Sequence, residues 1–233
     1  MDPLLLRKLN TERRARRAVI HVTELGGGRD RIVREGDTVA GPLGSAIDAA
    51  FLSGRSGIVE AEGRNFFLNV HLPPARIVVI GAVHISQALA AVAKVSGYDL
   101  SVIDPRTAFA TEERFAGVDL VADWPEDVLK VRPLDRYTAL VAVTHDPKID
   151  DFPLKRALES GCFYVGALGS RKTHARRVER LLAAGVPQDM LERISAPIGL
   201  DIGATSPAEI AVAIMAEIIQ AFRRRNLRAE AKP

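Results

Sequence analysis

The stretch Arg76-Ile77-Val78-Val79-Ile80 runs directly into Gly81-Ala82-Val83-His84-Ile85-Ser86, and this junction constrains the fold more than any other part of the chain. An unbroken apolar run of that length reads as a buried strand. A glycine at its end, followed by a helical pattern, is the layout in which a dinucleotide pyrophosphate meets a helix N-terminus. The usual fingerprint has glycine at three positions, and only Gly81 is present; Val83 and Ser86 stand at the other two. A valine at the second position sets a branched Cβ where the pyrophosphate normally approaches the backbone. The junction therefore predicts a Rossmann-type site, without NAD in its usual pose.

The rest of the chain divides at Pro73-Pro74. Residues 1–72 are Gly-rich and weakly patterned, with a helix over 11–17 and strands over 18–23, 58–61 and 66–70, which predicts a small β-containing N-terminal domain. In residues 73–233 short apolar strands alternate with helical patterns. That order predicts an α/β fold, a Rossmann-like parallel sheet flanked by helices. Strands are expected over 77–80, 100–103, 120–122, 139–144, 163–166 and 194–196, and helices over roughly 84–96, 126–130, 153–160, 172–184, 188–193 and 207–225. The last helix has a clear start, with Ser206 as N-cap, Pro207 at the first position and Glu209 at the third.

Composition narrows the classes of function. The 233 residues are 47% apolar and carry a net charge of +3, much of it in the arginines near each end, including Arg13, Arg14, Arg225 and Arg228. These read as solvated helix faces. Aromatic residues make up 5%, too few for the stacking platforms of a single-strand nucleic-acid binder. The single cysteine, Cys162, precludes an intrachain disulfide, fits a reducing compartment and reads as a core residue. Leu4-Leu5-Leu6 is too short for a signal peptide, and no segment is long enough to span a bilayer, so the expectation is a soluble cytoplasmic protein.

Four stretches carry chemistry, and all fall where strands end and helices begin. The first is the Gly81 turn, with Ala82 and with His84 in the first helical turn, and with Asp104 and Arg106 at the end of the second strand. In dinucleotide folds an acid there binds ribose hydroxyls, and an arginine can take a phosphate. The second is Thr144-His145-Asp146, followed by Asp150 and Asp151. Adjacent His145 and Asp146 do not form a metal-ligand face, so a loop closing over a ligand is expected, with Asp150 or Asp151 capping the next helix. The third is Gly169-Ser170-Arg171, a glycine turn with a hydroxyl and a cation suited to an anion. The fourth is the loop of Gly199, Asp201 and Gly203, an apolar segment bracketed by Pro197 and Pro207.

In this order the four stretches resemble the C-terminal domain of the xanthine dehydrogenase accessory protein family (XdhC/CoxI), over about residues 76–221. The most specific matches are THDPKIDD at 144–151, YVGALGSRKTHARRVERL at 164–181 and APIGLDIGATSPAEIAVAIMAEI at 196–218. Val83 and Ser86 depart from the family's glycines. The segment GDTVAGPLGSAID at 36–48 is only loosely similar to the family's Gly-rich segment and lacks its cysteine. The resemblance implies a chaperone rather than a turnover enzyme. It would bind molybdenum cofactor as cargo, with a cysteine desulfurase and a molybdenum hydroxylase such as xanthine dehydrogenase as partners, and with a homodimer as one assembly. An NAD(P)-dependent oxidoreductase, or a non-catalytic interaction module with a vestigial nucleotide site, are the alternatives left open.

Overall fold

The computed structural model describes residues 2–230, with side chains through residue 224; the side chains of Arg225 and Arg228 lie outside it. The chain gathers into two compact units, one of Ala75–Phe222 and one of the residues up to Pro74 with those from Arg223 onward.

The larger unit is the expected parallel sheet. Its strands are β5 (Arg76–Ile80), β6 (Asp99–Ile103), β7 (Asp119–Val121), β8 (Thr138–Ala142), β9 (Tyr164–Ala167) and β10 (Ile194–Ser195). They pair in the order β10-β9-β8-β5-β6-β7, all parallel. Counted in chain order from the β7 edge this is 3-2-1-4-5-6, the dinucleotide-fold arrangement. The crossover helices are α3 (His84–Val95), α4 (Pro125–Val131), α5 (Pro147–Glu159), α6 (Arg171–Ala183) and α7 (Gln188–Leu191); α8 (Pro207–Glu230) follows β10. The central strands read as continuous apolar runs because both faces are covered. Ile77 and Val79 of β5 join Leu89, Ala93, Ile214 and Ile218 of α3 and α8 in one core layer. Val78 and Ile80 join Leu154, Leu158 and Leu181 of α5 and α6 in the other. Each such side chain contributes roughly 1.5–3 kcal/mol by leaving water.

The start of α5 differs from expectation. It begins at Pro147, because the Asp146 carboxylate caps it by accepting the Lys148 N–H at 2.9 Å. Pro153, expected to open the helix, sits inside it and removes one intrahelical bond. Neither Asp150 nor Asp151 is the cap. The start of α8 matches the sequence reading: Ser206 Oγ accepts the Glu209 N–H at 3.3 Å, and Glu209 Oε2 accepts the Ser206 N–H at 2.9 Å. Hydrogen bonds from backbone N–H groups at this cap hold the Glu209 carboxyl down to about 2.

The smaller unit is better ordered than its sequence suggests. Its helices are α1 (Pro3–Arg14) and α2 (Gly41–Ser53), and its strands β1 (Val19–Glu24), β2 (Asp30–Arg34), β3 (Gly57–Ala61) and β4 (Arg64–His71) form an antiparallel sheet in the order β2-β1-β4-β3. Helix α1 starts earlier than expected, capped by Asp2 with Pro3 in its first turn. Helix α2 is absent from the sequence expectation because it contains Gly41 and Gly44, yet its buried residues Leu43, Ile47, Ala50 and Phe51 have helical spacing. Gly44 is required there, since a Cβ would lie 1.8 Å from the Val39 carbonyl oxygen. Part of the basic N-terminal run is paired: Glu12 is buried and accepts from Arg17, and from Arg34 at 2.7 Å. Among the described residues no helix is long and apolar enough to cross a membrane.

Candidate functional site

The strand order reverses between β5 and β8, and in such sheets the crevice for a ligand opens there, beyond the carboxyl ends. The four sequence stretches all leave the sheet on that edge: Gly81 after β5, Asp104 after β6, Thr144 after β8, and Gly169 after β9, with the 199–203 loop following β10. At the reversal the backbones nearly touch. Gly81 has φ +118°, and a Cβ on it would lie 2.8 Å from Thr144 Cγ2.

The polar groups of the Gly81 turn are used inside the protein. Gly81 N–H donates to the Ile103 carbonyl at 2.9 Å, and the Gly81 carbonyl accepts the buried Ser86 hydroxyl. Ala82 N–H donates to Asp104 Oδ2 at 2.7 Å, and the Ala82 carbonyl accepts from Arg114 at 3.1 Å. Asp104, fully buried, also accepts from the N–H of Arg106 at 2.9 Å and from its guanidinium at 2.9 and 2.8 Å. Burial alone would raise the Asp104 pKa, but the Arg106 guanidinium and the two backbone N–H groups outweigh it and hold it below its ordinary value. Both acid and arginine are thus committed to each other, with Arg106 also stacked 4.6 Å from the Phe109 ring centre. Val83 departs from the glycine pattern without strain: its φ is −108°, and its side chain packs on the core as the residue before α3. Exposed His84 opens that helix, whose first bond is the Ser86 N–H to the Val83 carbonyl at 3.0 Å, so the His84 and Ile85 N–H groups precede the ladder.

The second stretch builds a buried polar knot. Thr144 Oγ1 donates to Asp150 Oδ1 at 2.7 Å and accepts the Asp146 N–H at 3.0 Å. Between them His145 takes φ +65° and is exposed. Burial pushes the Asp150 carboxyl up to about 6, against the Thr144 bond and the Arg177 charge. Asp151 is paired with Arg180 at 2.6 and 3.0 Å, which ties α5 to α6. The charges of Asp146 and Asp150 also reach Arg106, so the first and second stretches share one electrostatic neighbourhood.

At the third stretch Gly169 has φ +132°, and Ser170 caps α6 by accepting the Thr173 N–H at 3.2 Å. Arg171 is exposed at the first helical position. One turn further, α6 and the start of α5 line a cavity of about 350 Å³, with Lys172, Arg176, Arg177 and Arg180 on its wall beside the Asp150 and Asp151 carboxylates. Sequence reasoning misses the roles of Asp150 and Arg177. Asp150 has the position of a helix cap, and Arg177 is one of five cations in α6 whose burial depends on the packing of two helices.

The fourth stretch is split in character. Gly199, φ +94°, abuts α8, where a Cβ would meet Ala213 Cβ at 3.1 Å, and its N–H donates to Glu217 Oε2 at 2.7 Å. The buried Tyr164 hydroxyl donates to the same Glu217 oxygen, and burial with that negative charge pushes its pKa up. Asp201 and Gly203 are exposed, and Gly203 has open space around it. Cys162 is a core residue, its thiol pushed up to about 12 by burial.

Comparison with known proteins decides the family: residues 77–218 match the model of the XdhC Rossmann domain. The chain belongs to the XdhC family. It is 34% identical over 161 residues to a Bacillus subtilis (strain 168) protein named as a probable xanthine dehydrogenase subunit, covering 69% of this chain and 47% of that protein. It is 28% identical over 146 residues to the molybdenum cofactor insertion chaperone PaoD of Escherichia coli (strain K12), covering 63% and 40%. Among solved structures, a Bacillus halodurans protein described as a xanthine dehydrogenase aligns with TM-score 0.61 at 27% identity, covering 94% of this chain and 64% of that one. The chain thus spans less than half the length of these two curated relatives.

Proposed function

We propose that this protein binds molybdenum cofactor as cargo, assists its sulfuration together with a cysteine desulfurase, and delivers it to a molybdenum hydroxylase of the xanthine dehydrogenase type in the cytoplasm. One observation carries the choice of ligand. Asp104, the acid that would hold the ribose of NAD(P), is fully buried and spent on Ala82 and Arg106. The dinucleotide pose therefore lacks its sugar contact. What the sheet edge does offer is the start of α3 and a cavity beside α6 in which four cations outnumber two carboxylates, which suit an anionic, phosphate-bearing pterin. The name of the PaoD relative agrees with such cargo. The test is to purify the protein from a host with intact cofactor synthesis, oxidise the co-purifying ligand and read pterin fluorescence. A stoichiometric pterin is expected. Recovering only NAD(P), or an empty protein, overturns the reading.

A further inference from the structure

We infer that the cleft between α5 and α6 is a built anion site that seats a phosphate group, with Arg177 as its floor and Lys172 and Arg176 at its rim. Arg177 is 2% exposed, and its Nη2 donates to the Leu168 carbonyl at 2.9 Å. Its Nε and Nη1, also buried, find no hydrogen-bond partner in the protein. A buried cation with idle donors is costly to hold, and the charges of Asp150 and Asp151 offset its burial only in part, without a hydrogen bond to it. Both oxygens of Asp151 are taken by Arg180, and Asp150 bonds to Thr144, acting on Arg177 only through space. Burial accordingly pulls the Arg177 guanidinium down from its ordinary range.

The helix around it is rich in cations on the cleft side. The first turn of α6 has no acid, and Arg171 and Lys172 sit at its positive end, the wrong end for cations. Lys172, Arg176 and Arg180 then follow at intervals of four on one face, where like charges repel. With Arg180 already paired to Asp151, an anion in the cleft would meet Lys172, Arg176 and Arg177, three cations against the remaining Asp150 carboxylate. The volume of about 350 Å³ holds a phosphate and the atoms next to it, since a water occupies about 30 Å³. The inference deepens the cargo reading: it assigns the phosphate end of the ligand to this cleft rather than to the Gly81 turn, and it rests on that reading only for what the phosphate is attached to.

The deciding experiment titrates inorganic phosphate into the full chain at constant ionic strength, against chloride, following heat and thermal midpoint. Saturable binding with a rise in midpoint is expected. Arg177→Met should weaken it by about tenfold or more. Because that variant can lose its fold, the exposed pair Lys172→Gln/Arg176→Gln is measured alongside it, with an expected loss of roughly fivefold and an unchanged circular dichroism spectrum. No effect of phosphate beyond chloride, or an unchanged affinity in the double variant, overturns the site. Pterin content of the same proteins separates the two claims. If pterin is absent from the wild type while phosphate binding remains dependent on the rim, the cargo reading falls and the site stands. If the double variant loses phosphate affinity but retains its pterin undiminished, the assignment of the phosphate end falls.

Discussion

Two junctions of the same shape, β5 into α3 and β9 into α6, differ in what their polar groups are doing. Each leaves a parallel strand through a glycine at positive φ and enters a helix, yet at Gly81 the polar atoms are satisfied from within, by Ile103, Ser86, Asp104 and Arg114. Beyond Gly169 the helix instead carries cations at its positive end and a buried guanidinium with two idle nitrogens. The nucleotide fingerprint therefore marks a clamp at the centre of the sheet, and the unpartnered donors lie two strands toward the edge. A motif shape tells where a ligand can sit; the hydrogen-bond accounting tells whether anything is left to hold it.

Substitution at the two glycines exposes the contrast most sharply. Gly81→Ala combines an unfavourable φ with a close approach to Thr144 and should cost about 4 kcal/mol in urea denaturation. Gly169→Ala, whose Cβ would meet only the Thr173 side chain, should cost about 2 kcal/mol; equal losses would erase the distinction.

Asp104→Asn tests whether the first junction is a clamp. Removing this buried charge should lower stability by about 3 kcal/mol. The pKa of Asp104 is depressed in the fold, so its contribution is present above about pH 4 and lost as pH falls below that. The variant should accordingly lose part of the wild type's acid sensitivity, read from unfolding midpoints between pH 2 and 5, a range of about three pH units.

Asp150 works in the opposite sense, because its folded pKa is raised to about 6. The fold keeps a proton that the unfolded chain releases near pH 4, so stability should decline from about pH 4 to about pH 6 by roughly 2–3 kcal/mol and then level off. Asp150→Asn should lack this decline in denaturation curves taken across that window.

The smallest effect is expected at Val83. Its side chain packs on the core, so Val83→Gly should cost about 1 kcal/mol. Because Asp104 is already committed, the variant should gain no affinity for NADH in a fluorescence titration. A gain would restore the valine as the obstacle and reopen the dinucleotide reading.

The sheet was legible because its strands, buried on both faces, read as runs such as RIVVI and TALVA that no helix period explains. The beginning of α8 was legible because its cap is local, with Ser206 and Glu209 three residues apart. What escaped depended on partners distant in sequence. Asp146-Pro147 is a sound helix start, but Pro153 competes with it as a signal, and only packing of the helix against β8 resolves the choice. Helix α2 was hidden by glycines, and the reason for Gly44 is the nearby Val39 backbone. Asp104 carried the spacing of a ribose ligand, and nothing in that spacing reveals that Arg106 consumes it. Arg177 looks like its neighbours until α5 closes over it.

The shared acceptor on Glu217 has a consequence for the order in which the molecule is made. Tyr164 and Gly199 both reach forward to it, across 53 and 18 residues. Both contacts need α8 to be present and docked. Without Glu217 the Gly199 N–H and the Tyr164 hydroxyl lose their shared acceptor, so the fourth loop has nothing to brace it. A nascent chain halted short of Glu217 would therefore carry an unbraced fourth loop, and that edge of the sheet is complete only once α8 has emerged.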